Sequence, residues 1–380
     1  MVALQNDVVG QLRCKRLIYM EKISLPIQTL FADLEQRASD AEFLTFFEKT
    51  GSFKRRKRKN RYYWYFQNRV GDEVQEIYVG PVTDKNVTDK VERFNEIKAD
   101  FVERREIVKA LLSAGLPQTD IAAGRVIEAL AEGGFFRMRG VLIGTTAYQC
   151  YAGILGVKLG LTTVRTQDAD FAQYLSIARE IDDSTPPILE LLRKVDGSFS
   201  PVSALDARHC IAFVNRQKYR VEFLTPNRGS DDYEGVPVRL PALPGVSAIP
   251  LRFLDFLIRN PIRSVLLYEG GIPVTIPHPA RYAVHKLIIS DRRAIESSKI
   301  DKDIGQATEL INALSYSRAL DLTEAWIEAW ERGPSWRQAL TSGLMNISQE
   351  ASKLLYKSIE KNARRLRKDM VQIWPADIRA

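Results

Sequence analysis

The stretch TTVRTQDADFAQY, residues 162–174, sets Asp168 and Asp170 one residue apart inside what otherwise reads as a short apolar strand. Aspartate is depleted in strands, and residues two apart on a strand project from the same face. The two carboxylates therefore stand side by side and repel each other, while Ala169 and Phe171 point the other way, into a core. A bound cation offsets that repulsion. Paired carboxylate oxygens are a hard-ligand site suited to Mg²⁺ or Mn²⁺. An isolated Asp-x-Asp also fits a solvated strand end, so its surroundings decide.

Upstream, an apolar strand at 139–143 runs into Gly144, Thr145 and Thr146, and a helix follows to about residue 155. A glycine there lets the backbone approach a ligand closely, and the first-turn amides of the helix are open to phosphate. A threonine cap at an ordinary helix start fits these residues equally well. Downstream, KYRVEFLTP (218–226) puts Glu222 in mid-strand between Val221 and Phe223.

This order resembles the DNA polymerase β-type nucleotidyltransferase superfamily. Its pattern is an apolar residue, Gly-Ser or Gly-Gly, then [Asp/Glu]-x-[Asp/Glu], then a third acid on a later strand. More narrowly, LIGTTAYQCYAGILG (142–156), TQDADF (166–171) and VEFLTP (221–226) are similar to a bacterial nucleotidyltransferase-fold branch related to type IV abortive-infection toxins. The likeness covers about residues 135–310. Thr145 departs from the Ser or Gly of the pattern, and its methyl group adds bulk in a tight loop.

The resemblance implies a nucleotidyltransferase core of a mixed sheet with flanking helices; the patterns on either side of it read as an N-terminal helix plus β-hairpin module and a helical C-terminal domain, so the fold expected is α+β. The expected divisions are 1–83, 84–135 (a helical connector), 136–295 (catalytic) and 296–380. The resemblance also implies a metal-dependent transfer of an NMP from an NTP, ATP among them, to an acceptor hydroxyl. Asp168, Asp170 and Glu222 are then the catalytic and metal-holding acids, with Mg²⁺ or Mn²⁺ as cofactor. Gly144, Thr145, Thr146 and Lys286 are the nucleotide-binding residues. Lys286 lies in ARYAVHKLIISDRR (280–293), on a helix expected over 279–293, where a solvated face is the ordinary alternative. The toxin likeness implies RNA, tRNA ends above all, as acceptor, and a protein antitoxin or regulator as partner. A protein or small-molecule acceptor, or a nucleic-acid-binding protein whose fold no longer reacts, stands as the alternative.

A second informative run is KRRKRKNRYYWYFQ (54–67). Lys54, Arg55, Arg56, Lys57, Arg58, Lys59 and Arg61 fill seven of its first eight places, and Tyr63 is among the aromatics that follow. Cations contact phosphates and aromatics stack on bases; a charge run is as often a solvated edge. Strands at 62–67 and 74–79 with a turn at Gly71–Asp72 read as a hairpin. Its alternation lets Tyr62, Trp64 and Phe66 pack on a helix at 23–50, while Tyr63, Tyr65 and Gln67 face out.

The rest of the chain sets bounds. Its 380 residues, 45% hydrophobic and 27% charged, read as globular with two or three domains. The net charge of +8 suits a polyanionic partner, nucleic acid or nucleotide phosphate. Three scattered cysteines form neither a disulfide framework nor a zinc spacing, which points to a reducing cytoplasm. The N-terminus lacks a signal-peptide layout. The apolar stretch 141–161 is interrupted by Gly144, Gln149, Gly153, Gly156, Lys158 and Gly160, so it reads as a buried strand–turn–helix rather than a membrane span. Helices are expected over 84–133, broken at Gly115–Gln118 with Asp120 as an N-cap, and from 303 onward with a break at Arg332–Trp336.

Overall fold

The fold opens with α1 (Leu25–Ala41). Its apolar Phe31, Leu34 and Ala38 recur at helical spacing, and all three are buried. A computed structural model describes residues 20–41, 51–58, 61–70, 73–160, 167–176, 184–204, 206, 208–227, 235–290, 297–376 and 378. Lys59, the part of the expected 23–50 helix from residue 42 on, the expected turn at Gly71–Asp72 and the expected end of the helix at 291–293 lie outside these residues.

The basic run is itself a strand, so the expected hairpin is a three-stranded antiparallel sheet. Its strands are β1 (Ser52–Arg58), β2 (Arg61–Val70) and β3 (Glu73–Pro81), with β2 in the centre. β3 turns through Asp84, whose carbonyl accepts from Thr88, into the long α2 (Lys85–Ser113). That tight turn folds α2 back over the sheet, where Phe53 and Phe66 bury themselves against Val91 and Phe94. The expected packing partner, the helix at 23–50, is therefore corrected to α2. The apolar face of α1 goes instead to Val108, Leu111, Val265 and Leu267. Trp64 is half-buried and donates to Thr88 Oγ1 at 3.2 Å, whereas Tyr62, expected to pack, is 46% exposed at the sheet margin.

Asp120 caps α3 (Ile121–Glu132) as its sequence position predicts, Oδ1 accepting from the Ala122 amide at 2.9 Å. The core follows: β4 (Val141–Ile143), α4 (Gly144–Leu155), β5 (Asp168–Ala172), α5 (Ile188–Val195), β6 (Ser200–Ser203), β7 (Cys210–Val214), β8 (Arg220–Pro226), β9 (Val238–Arg239) and β10 (Ser247–Leu251). These strands form a seven-stranded mixed sheet. β5 pairs antiparallel with β4 and parallel with β8. β8 then pairs antiparallel with β7 along its first half and parallel with β10 along its second. β6 and β9, of four and two residues, are too short to show an alternation in the sequence.

α6 (Leu254–Leu257) and the antiparallel pair β11 (Ile262–Leu266) and β12 (Ile272–Ile276) lead into α7 (Pro279–Ser290), which is buried along most of its length. The helices α8 (Ser297–Ser317), α9 (Ala319–Glu331), α10 (Pro334–Asn346), α11 (Gln349–Ala363) and α12 (Met370–Ile373) complete the chain. Pro334 at the first position of α10 marks the expected break. α8, α9 and α10 all pack on α7. The protein is thus a mixed α+β fold with a mixed sheet, flanking helices and a helical C-terminal part. No helix among the described residues is long and apolar enough to cross a membrane.

Candidate functional site

Strand parity builds the acidic face. On β5, Ala169 and Phe171 are buried, and Phe171 stacks on Phe223 with ring centroids 5.5 Å apart. Asp168 and Asp170 take the opposite face, the first exposed and the second half-buried. The parallel register sets Glu222 of β8 directly across from Asp170, and Arg220 across from Asp168. Three carboxylates and one guanidinium therefore share one patch of sheet.

The charges act on one another. Asp170 is pushed up from 3.8 to about 7, first by burial and then by the negative charges of Asp168 and Glu222; Lys286 and Lys302 pull it partly back. Arg220 Nε donates to Glu222 Oε1. Among the described residues no three His, Cys, Asp or Glu side chains converge as a ready-made cation site. The donor set is nevertheless all carboxylate oxygen, which is the chemistry Mg²⁺ and Mn²⁺ take. A divalent cation would relieve the repulsion that raises Asp170, so the residues present fit one.

Gly144 joins the acids to the helix. β4 runs straight into α4 at this residue, whose φ of 71° lies in the left-handed region that favours glycine. A Cβ built there would sit 2.8 Å from Asp170 Oδ2. Thr145 and Thr146 follow in the first turn, both buried. The Tyr282 hydroxyl lies 3.1 Å from the Gly144 carbonyl oxygen and 3.1 Å from Gln306 Oε1. It ties α7 and α8 to the start of α4.

The two lysines near this loop differ. Lys286 is buried, 2.5 Å from the buried Asp303 Oδ1, with its ammonium 5.2 Å from the centre of the Tyr282 ring. Lys302, half-buried, donates to Thr145 Oγ1 at 3.2 Å. A cavity of about 250 Å³ opens beside Lys286, lined also by Gly144, Asp170, Leu224, Phe253 and Tyr282 among others.

The structure thus brings Asp168, Asp170, Glu222, Gly144, Thr145, Thr146 and Lys286 into one region around β5 and the start of α4. The basic residues of β1 and β2 stand on the separate three-stranded sheet. Sequence reasoning missed Arg220 as a member of the site, for which strand parity with Glu222 was the available signal. Lys302 enters the sequence reading only through the toxin-like resemblance, as half of a lysine–aspartate pair with Asp303, and its place at Thr145 was not readable.

Carboxylates on one sheet face beside a glycine-opened helix start make a mixed α+β domain suited to a phosphate-bearing ligand. A family model described as nucleotidyltransferase matches residues 122–331, more than half of the chain, and the chain belongs to this nucleotidyltransferase family. Residues 47–105, which hold the three-stranded sheet and much of α2, match a second model, described as ORF D-335-like protein. No curated protein matches the chain. Among solved structures, an antigenic nucleotidyltransferase-like protein from Paracoccidioides brasiliensis is 16% identical, over 62% of this chain and 98% of its own, with a TM-score of 0.29.

Proposed function

We propose that this chain moves a nucleoside monophosphate from an NTP to an acceptor hydroxyl and releases pyrophosphate. The observation that carries the reading is the register that sets Glu222 opposite Asp170, two residues from Asp168 on the same face. Nucleotidyl transfer asks for charge neutralisation and alignment more than for covalent catalysis. Asp168, Asp170 and Glu222 would hold Mg²⁺ or Mn²⁺, which when bound screens the triphosphate and acidifies the acceptor hydroxyl. The first-turn amides at Gly144, Thr145 and Thr146 receive the β- and γ-phosphates. Lys302 adds a cation at Thr145, and Lys286 places positive charge on the cavity wall behind the leaving group. Glu222, once released from Arg220, accepts the acceptor's proton as the new O–P bond forms and the α–β phosphoanhydride breaks.

The likeness of 142–156, 166–171 and 221–226 to the abortive-infection toxin branch extends the proposal to an RNA acceptor, with tRNA ends first. It also extends it to a neutralising protein partner in a cytoplasmic setting. The division 1–83, 84–135, 136–295 and 296–380 then assigns acceptor capture to the first part and chemistry to the third.

A second reading, a nucleic-acid-binding protein whose fold no longer reacts, is favoured by one observation: Glu222 is held by Arg220. One experiment separates the two. The pure protein is incubated with each α-³²P-labelled NTP, Mg²⁺ or Mn²⁺, and total RNA, protein or small-molecule acceptors. Label on an acceptor, lost in Asp168→Ala/Asp170→Ala, supports transfer. No label from any NTP with any acceptor class sinks it and leaves the second reading.

A further inference from the structure

The three-stranded sheet has two chemically different faces. The β1–β2 register pairs Phe53 with Phe66, Arg55 with Trp64 and Lys57 with Tyr62, all on the side that α2 covers. At its open end the Arg55 guanidinium and the Lys57 ammonium stand 5.1 and 6.0 Å from the centre of the Tyr62 ring. The opposite face pairs Lys54 with Tyr65 and Arg56 with Tyr63, and adds exposed Arg61 one alternate position before Tyr63. Glu76 of β3 lies on this face, bonded to Arg56 at 2.5 Å and to Gln67. Among the described side chains of this face, that one acid stands against the cations Lys54, Arg56 and Arg61.

On this outer face the aromatics and the cations alternate by strand. Tyr63 and Tyr65 are half-buried neighbours on the central strand, about 6.8 Å apart at the usual rise. Each has a cation directly beside it on the edge strand. A row of rings flanked by a row of cations is the arrangement that single-stranded nucleic acid takes: bases on the rings, phosphates on the charges. A duplex keeps its bases stacked away from such rings. RNA is the polynucleotide that presents unstacked bases in loops and ends.

We propose that the Lys54–Arg56–Arg61–Tyr63–Tyr65 face of this sheet is a docking surface for single-stranded RNA. The surface delivers the acceptor and in that role rests on the nucleotidyl-transfer reading, but its affinity for RNA does not. The inner-face residues Arg55, Lys57 and Tyr62 lie outside the footprint, which narrows the run 54–61 to alternate positions.

The test is fluorescence anisotropy with the full chain, without NTP, using a labelled 12-nucleotide single-stranded RNA and a duplex DNA of equal length, titrated across salt. Single-stranded RNA is expected to bind more tightly than the duplex. Tyr63→Ala/Tyr65→Ala should weaken it roughly tenfold or more, and Tyr63→Phe/Tyr65→Phe should keep it. Lys54→Gln/Arg56→Gln, which leaves the Phe53–Phe66 core alone, should lower the salt slope by about 0.7 for each phosphate left without its cation. No RNA affinity in the wild type, tighter binding of the duplex, or losses confined to Arg55→Gln/Lys57→Gln would each overturn the proposal. RNA binding without transfer counts against the transferase reading alone. Transfer to a small acceptor without RNA binding counts against this surface alone.

Discussion

Arg220 and Glu222 sit two residues apart on one strand, and the arginine Nε donates to the glutamate Oε1. In the register with β5, that arginine also faces Asp168. The site therefore carries its own counter-ion, one that competes with any external cation for the third acid. Both groups are partly solvated, with side-chain exposures of 38% and 27%, so their bond is worth about 1 kcal/mol. Arg220→Gln is expected to raise affinity for Mn²⁺ by roughly fivefold in calorimetric titration. Unchanged affinity would mean that Glu222 takes no part in holding the ion.

Removing an acid tests the face more directly. Asp168→Ala, Asp170→Ala or Glu222→Ala is expected to abolish transfer while leaving the far-ultraviolet circular dichroism unchanged, because none of the three is a core residue. Apo stability should hold or rise as like-charge repulsion is relieved. Wild-type turnover in Asp168→Ala/Asp170→Ala would remove the acids from the mechanism.

The raised Asp170 carboxyl fixes the sign of a pH effect. Its folded pKa of about 7 lies above the ordinary 3.8. Below about pH 4 both folded and unfolded chains carry the proton, and no penalty exists. Between 4 and 7 the unfolded chain ionises first, binds fewer protons, and is favoured increasingly as pH rises. Above 7 the penalty is complete, up to about 4 kcal/mol for the full shift. In urea melts with EDTA, Asp170→Asn is expected to gain on the wild type from pH 4.5 to 8. Parallel curves would show that Asp170 ionises as freely folded as unfolded.

Much of this site was readable before the fold. The parity of Asp168, Ala169, Asp170 and Phe171 determines which side chains face together, and the apolar flanks of Glu222 mark its strand. The pairing partner of the basic run was not readable. Alternation says that Phe66 must be covered, not which helix covers it, and the tight turn at Asp84 decides for α2. The sequence reading put Lys286 first at the triphosphate, and what holds Lys286 was not readable either. The carboxylate that pins Lys286 comes from another helix, 17 residues on, and no helical spacing within α7 reveals it.

That pairing changes what a Lys286 variant reports. Lys286→Ala leaves Asp303 buried without its ammonium, which is expected to cost about 3–5 kcal/mol, read as a fall in the urea midpoint. Lys286→Met/Asp303→Leu should recover most of it. Lys302→Ala should barely move the midpoint yet raise the apparent KM for NTP about tenfold, the scale of one charge-assisted hydrogen bond. If instead Lys286→Ala is stable and selectively loses NTP affinity, Lys286 is the phosphate lysine and Lys302 is not.

Gly144→Ala joins backbone strain to the chemistry. The φ of 71° costs a non-glycine residue about 1–2 kcal/mol, and the new Cβ would stand 2.8 Å from Asp170 Oδ2. The carboxylate can rotate away, so the steric conflict falls on the orientation of Asp170 more than on folding. The variant is therefore expected to lose about 1–3 kcal/mol in urea melts but at least tenfold in transfer rate, with NTP affinity reduced as well. Asp170→Asn in the same background should produce little further loss of activity, because the rotated carboxylate is already out of play. A variant that loses stability while keeping its rate would show that the start of α4 and the acid face work independently, and would break the link between the loop and the reaction.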